Sequence, residues 1–190
     1  MTSCGDEPIV DSSASVSEGN DSEPLSKTKN TAVIYKRDGG CDTFMQSIDF
    51  SSLCLTDEKQ LDFYIETWTE FTCQHLILDD NREQVTSIVV SYTDYNSSET
   101  EKMERDQLNA KSQLLRSAKY LFKSSMLIDN LGDGAYIGTS AAGGGNVKVM
   151  KILLNNVTVL VKTLNLEENC LSTDEELIKL GRLILDRIKE

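Results

Sequence analysis

One histidine, two prolines and no cysteine pair spaced C-x-x-C occur in these 190 residues. Each shortage excludes some chemistry. With His75 as the sole imidazole, zinc sites built from two or three histidines cannot form, and any Ser-His-Asp or Cys-His nucleophile would depend on that one side chain. The cysteines are Cys4, Cys41, Cys54, Cys73 and Cys170, and their spacing excludes zinc ribbons and thioredoxin-like redox motifs. Basic residues are scarce, 19 against 31 acidic ones, for a formal net charge of −12. Such a chain opposes a phosphate backbone, so nucleic acid is not an expected partner. Aromatic residues make up only 6%, which leaves aliphatic side chains to supply most of the buried area. No apolar run reaches the length of a membrane span. No D-x-[DN]-x-[DN]-G loop occurs, and Glu99, Glu101, Glu104 and Asp106 therefore read as a solvated helix face rather than a calcium site. No residue set points to a cofactor or a catalytic constellation.

The length suits one domain with a tail. Residues 1–30 hold both prolines, seven serines and six acidic residues against two lysines. A segment of that composition cannot bury enough apolar surface to offset its ordering entropy and is expected to be a disordered acidic tether. Subtracting its −4 from −12 leaves −8 on residues 31–190, the expected single globular domain.

Within that domain, Thr31–Lys36 is short and β-prone, and Gly39-Gly40 ends it. Residues 41–64 and the adjoining Ile65 suggest one or two short helices around Phe44, Ile48 and the stretch Leu61, Phe63, Tyr64, Ile65, with Thr56 as a cap. Residues 66–78 and 85–95, rich in Thr, Val, Ile and Tyr about Asp79-Asp80-Asn81, read as a hairpin. Residues 98–122 read as a helix capped by Ser97 or Ser98, with Met103, Leu108, Leu114, Leu115, Ala118 and Phe122 as its buried stripe, its second half ending early near Ser117. A second hairpin is expected over 147–154 and 157–163 about Asn155-Asn156, where Val157, Val159 and Val161 alternate with Thr158, Leu160 and Lys162. The last helix has a capping box, Thr173 and Glu176, and apolar residues Leu177, Leu180, Ile184 and Ile188 at helical spacing. The whole argues for an α+β fold: a largely antiparallel sheet of two hairpins with helices packed on it and a C-terminal amphipathic helix.

The most distinctive local stretch is LGDGAYIGTSAAGGG at 131–145. Its glycines match neither G-x-G-x-x-G nor G-x-x-x-x-G-K-[ST], and a strand rather than a helix follows, so it reads as a turn and hairpin connection and not as a phosphate cradle. Asp133 and Tyr136 are candidate ligand-loop residues. Their structural alternative is a turn-closing carboxylate and a core anchor. His75, between Gln74 and Leu76 on an expected strand, reads as a surface or core residue rather than a base.

Two features carry a resemblance. The start Met1-Thr2-Ser3-Cys4-Gly5, followed by the Ser- and Glu-rich spacer, is similar to the lipobox and tether of a bacterial lipoprotein. A charged and apolar signal region does not precede it, as in a sequence trimmed to its processed form behind an initiator methionine. The run Gly132-Asp133-Gly134-Ala135-Tyr136, then a hairpin and a last amphipathic helix, resembles small extracytoplasmic lipoprotein and sensor-type domains with a Gly-Asp-x-Ala-Tyr signature. The resemblance spans roughly 41–190. It implies lipidation at Cys4, a place on the outer face of a bacterial membrane, and a non-catalytic role binding an envelope protein or small ligand. It also implies a Cys41–Cys73 pair. Cys54 and Cys170, and the long connection after Tyr136, depart from the pattern. From the residues alone, four cysteines beyond Cys4 permit three disulfide pairings in an oxidising compartment, or four reduced thiols. Two other readings stay open: a cytoplasmic adaptor with reduced thiols and a disordered arm, and an envelope hydrolase using paired carboxylates.

Overall fold

A strand whose side chains alternate between buried and outward positions presents one face to a core, and residues 157–163 do so without interruption. Val157, Val159 and Val161 are buried while Thr158, Leu160 and Lys162 turn outward. In a computed structural model, which describes residues 33–37, 39–54, 64–69, 72–78, 84–120, 122, 124–140, 147–164, 166 and 169–190, this segment lies at the centre of a seven-stranded antiparallel sheet. The chain divides between Thr31 and Ala32. The expected tether, with Cys4, lies outside the described residues, as do Thr56, Leu61 and Phe63.

In chain order the elements are α1 (Cys41–Gln46), β1 (Tyr64–Thr69), β2 (Thr72–Leu78), β3 (Gln84–Tyr92), α2 (Thr100–Tyr120), β4 (Ser124–Ile128), β5 (Gly134–Ser140), β6 (Val147–Leu154), β7 (Val157–Thr163) and α3 (Asp174–Lys189). The sheet order is β1-β2-β3-β7-β6-β5-β4. The α+β class and the C-terminal helix stand as expected, and the β6–β7 hairpin has the expected bounds. The sheet is larger than two hairpins. Residues 64–78 fold back on themselves as β1 and β2, with Thr69 opposite Thr72, so Tyr64 and Ile65 belong to a strand rather than a helix. Residues 124–128 and 134–140 add β4 and β5 beyond β6.

The pleat sends alternate residues of each strand to opposite faces. Ala135 and Ile137 of β5 and Met150 and Ile152 of β6 join Ile88, Val90, Val159 and Val161 in the main core, which α1 and α3 cover. Tyr136 and Leu153 point the other way and pack against Leu114 and Ala118 of α2. Gly138, two residues beyond Tyr136, lies where a Cβ would come within 2.5 Å of the Phe122 ring. Glycine there lets Phe122 lie on the strand and against Tyr136, with ring centroids 5.2 Å apart.

Helix α3 is amphipathic along its full length, and its Leu177, Leu180, Ile184, Leu185 and Ile188 are all buried. The Thr173 hydroxyl accepts a hydrogen bond from the Glu176 N–H at 3.2 Å. Glu176 does not complete a capping box: its carboxylate accepts from the Cys54 N–H at 3.1 Å and from Lys179 at 2.7 Å. Helix α2 runs unbroken to Tyr120, past the early end expected near Ser117. A short 3-10 turn, Ser97–Glu99, precedes it, and the Asn96 N–H donates to the Glu99 carboxylate at 2.9 Å, so the cap sits one residue before Ser97. Of the expected stripe, Met103, Leu114 and Ala118 are buried, all within about 60° on a wheel of about 100° per residue. Leu108 and Leu115 fall more than about 100° from Met103 on that wheel and are 70% and 46% exposed. The segment 33–37 forms no strand. Its Tyr35 N–H and C=O instead pair with the Asn156 side-chain amide, each at 2.8 Å, as a strand's backbone would.

Candidate functional site

Two places concentrate chemistry. The first is a groove of about 540 Å3 between the N-terminal half of α2, the residues leaving β3, and the β6–β7 turn. Its organising residue is Asn156, buried in the turn. The Asn156 amide donates to the C=O groups of Tyr35 and Thr93, at 2.8 and 2.9 Å, and accepts from the Tyr35 N–H. The Thr93 N–H returns to the Asn156 C=O at 2.8 Å. These bonds hold two separate chain segments against one turn, which makes that wall of the groove rigid.

Asn155 beside it adopts a left-handed backbone, φ 47°, a region that asparagine tolerates better than most residues. Its N–H donates to the Asp133 carboxylate, and its side-chain carbonyl accepts from Gln107 of α2 at 3.2 Å. Asp133 itself is fixed through its N–H, which donates to the Leu153 C=O at 2.7 Å. The preceding Gly132, φ 65°, passes so close to that carbonyl that a Cβ would lie 2.3 Å from it. Across the groove, the Tyr95 hydroxyl donates to the Asp106 carboxylate at 2.9 Å. Burial, reinforced by that carboxylate, pushes the Tyr95 phenol up to about 12. Glu104, Leu108 and Lys111 of α2 complete the rim. The groove therefore offers carboxylate and amide edges, one ammonium and one exposed leucine.

The second place is in the main core. Cys41 opens α1, and Cys73 and His75 lie two residues apart on β2, hence on one face of the strand. Cys41 and Cys73 form a disulfide with Cα atoms 5.4 Å apart, and Cys54 pairs with Cys170 at 5.9 Å. The His75 imidazole is fully buried, its Nε2 3.4 Å from the Cys41 sulfur and 3.3 Å from that of Cys73.

The candidate residues of the sequence thus separate. Asp133 stands on the groove rim, bound across to a different turn from its own. Tyr136 lies beneath α2 against Phe122, buried, with its phenol raised by that burial. The four cysteines sort into two pairs at disulfide distance, compatible with an oxidising compartment. Glu104 and Asp106 line the groove and are not merely a solvated face. Tyr95, Gln107, Asn155 and Asn156 escaped the sequence reading. Their one local signal was the Asn-Asn turn, which says nothing of what packs on it. Among the described residues, no helix is long and apolar enough to cross a membrane. No protein-family profile, curated protein or solved structure matches the chain.

Proposed function

We propose that this chain is a non-catalytic binding or interaction module of the bacterial cell envelope, held to the outer face of a membrane by a lipid on Cys4. The groove beneath α2 carries the binding half of the reading. One of its walls is pre-organised by backbone-bonded amides, so a ligand would lose little free energy in ordering it. The ligand chemistry it suits is amphipathic: N–H donors or a cationic group facing Asp106, Glu104 and the turn amides, with an apolar part on Leu108. Such a ligand is a small molecule or a segment of another envelope protein. The non-catalytic assignment is supported by the place of the sole imidazole, buried in the core and not among the groove's lining residues.

The envelope half is supported by the two cysteine pairs, since structural disulfides persist in oxidising compartments. It is supported too by the lipobox-like Thr2-Ser3-Cys4-Gly5 and the acidic spacer behind it. The test is expression with the native upstream codons in a lipoprotein-processing bacterium fed an alkyne fatty acid. Label on Cys4 and partition into detergent are expected, both abolished by Cys4→Ser. Unlabelled soluble protein with four free thiols beyond Cys4 would establish the cytoplasmic adaptor instead. For the groove, a fragment library followed by amide shifts should perturb residues 93–95, 104–111 and 153–158, and Leu108→Arg should abolish the perturbation. A library that moves none of these amides would refute the binding site.

A further inference from the structure

The Cys41–Cys73 bridge has an imidazole nitrogen against both of its sulfurs, at 3.4 and 3.3 Å. The three donor atoms, two Sγ and one ring nitrogen, lie within 4.8 Å of one another, and all three residues are buried. We propose that reduction turns this cluster into a zinc site, so that disulfide and metal are alternative states of Cys41, Cys73 and His75. This goes beyond the envelope reading and does not depend on it.

The geometry requires little movement. Zinc binds thiolate at about 2.3 Å and imidazole at about 2.0–2.1 Å, and tetrahedral angles then place nitrogen and sulfur about 3.5 Å apart. The present 3.3–3.4 Å separations are close to that spacing. Only the two sulfurs must part, which side-chain rotation at Cys41 and Cys73 can supply. The ligands come from separate elements, one on α1 and two on one face of β2, so they converge in the folded chain without rearrangement of the sheet.

Charge selects the ion. Two thiolates and a neutral imidazole around a divalent cation sum to zero, whereas a monovalent cation would leave a negative charge in the core, at a large desolvation cost. Thiolate and imidazole donors favour zinc over calcium or magnesium. The chemistry balances in two steps. A dithiol reductant passes two electrons to the Cys41–Cys73 bond, which breaks to give two thiols while the reductant closes to its own disulfide. Zinc then displaces both thiol protons, forms two Zn–S bonds and takes His75 Nε2 as its third protein ligand. A bound zinc holds the sulfurs apart and blocks reoxidation. The Cys54–Cys170 pair has no such neighbour among the described residues, and its local polar contact is the Glu176 carboxylate on the Cys54 N–H.

The test uses the full chain, reduced with a phosphine and freed of it anaerobically, then titrated with Zn2+ against a chromophoric chelator and with Co2+ as a spectroscopic probe. One equivalent is expected, with thiolate-to-cobalt charge transfer and the visible bands of a tetrahedral site. The unreduced protein should show neither. Residue-resolved alkylation of unsubstituted protein, with and without Zn2+, should show zinc slowing modification of Cys41 and Cys73 and leaving Cys4, Cys54 and Cys170 unchanged. Cys54→Ser should keep the cobalt spectrum. His75→Asn should weaken zinc binding by more than the roughly 10–100-fold typical of losing a supporting residue outside the ligand set. Absence of binding to the reduced chain, equal binding before reduction, or zinc protection falling on Cys54 and Cys170 would each overturn the proposal, and none of these readouts depends on a variant that folds.

Discussion

Replacing Tyr136 by alanine separates two roles that the Gly-Asp-x-Ala-Tyr turn could have. Tyr136 is 4% exposed, on the face of β5 opposite the main core. Its ring joins Phe122, Leu114, Ala118 and Leu153 in the small cluster that attaches α2 to the sheet. An aromatic side chain of this kind buries about 150–200 Å2, which at about 25 cal/mol per Å2 is roughly 4–5 kcal/mol. That is an upper figure, since the unfolded chain already hides part of its apolar surface. Large aromatic truncations cost about 3–5 kcal/mol, with part of the cost in the cavity they leave. Tyr136→Ala is therefore expected to lower stability by about 3–5 kcal/mol, a fall in Tm of roughly 6–20 °C for a chain of this size. The assay is urea and thermal unfolding of the full chain under oxidising conditions. Tyr136→Phe keeps the ring and should cost under about 1 kcal/mol. Unchanged stability in Tyr136→Ala would refute the packing assignment and make residue 136 part of a binding surface.

Asp133→Ala removes the carboxylate that holds the Asn155 N–H and should cost about 1 kcal/mol, read from the same urea curves. Gly138→Ala places a methyl carbon 2.5 Å from the Phe122 ring; a loss of about 1–3 kcal/mol is expected, relieved by Phe122→Ala in the double mutant, and additive losses would contradict the contact. Of the two bridges, Cys54–Cys170 spans 116 residues and Cys41–Cys73 spans 32, so chain entropy assigns them about 5 and about 4 kcal/mol respectively. Removing the longer one as Cys54→Ser with Cys170→Ser should destabilise more. The Glu176 carboxyl is held below its ordinary range, chiefly by Lys179 with help from the Cys54 N–H. Its contribution is complete above the unfolded carboxyl pKa and is lost as pH falls through the lower folded value, so Glu176→Gln should flatten the acid limb of stability against pH. Tyr95, raised to about 12, works in the opposite direction: its contribution is complete below about 10, the unfolded pKa, and fades between there and 12. Tyr95→Phe should remove that alkaline loss, measured by melts across the same range.

Much of the architecture was legible where a single face repeats with the period of its element. Val157, Val159 and Val161 alternate because β7 is central and buried on one face, and α3 spells its apolar stripe over four turns behind a threonine cap. Local chemistry determines such segments almost alone. Helix α2 shows the limit: its one expected stripe joined residues of two helix faces, and the burial of Leu114 and Ala118 rather than Leu108 and Leu115 came from where Tyr136 and Leu153 lie on the sheet. Strand β4 carries little signal because it is a short edge strand whose side chains are largely exposed, and β5 hides behind the glycine that Phe122 requires at position 138. The groove was invisible to sequence for a related reason. Asp133, Tyr95, Asp106, Gln107 and Asn155 are polar residues at ordinary loop and helix positions, and only the meeting of a helix with two turns makes them one surface. The cysteines were countable from the start, but the four beyond Cys4 allow three pairings, and only the folded chain brings Cys41 to Cys73 and Cys54 to Cys170. That His75 lies against both sulfurs of the first pair was decided by the docking of α1 onto β2, a contact across more than thirty residues that no local propensity encodes.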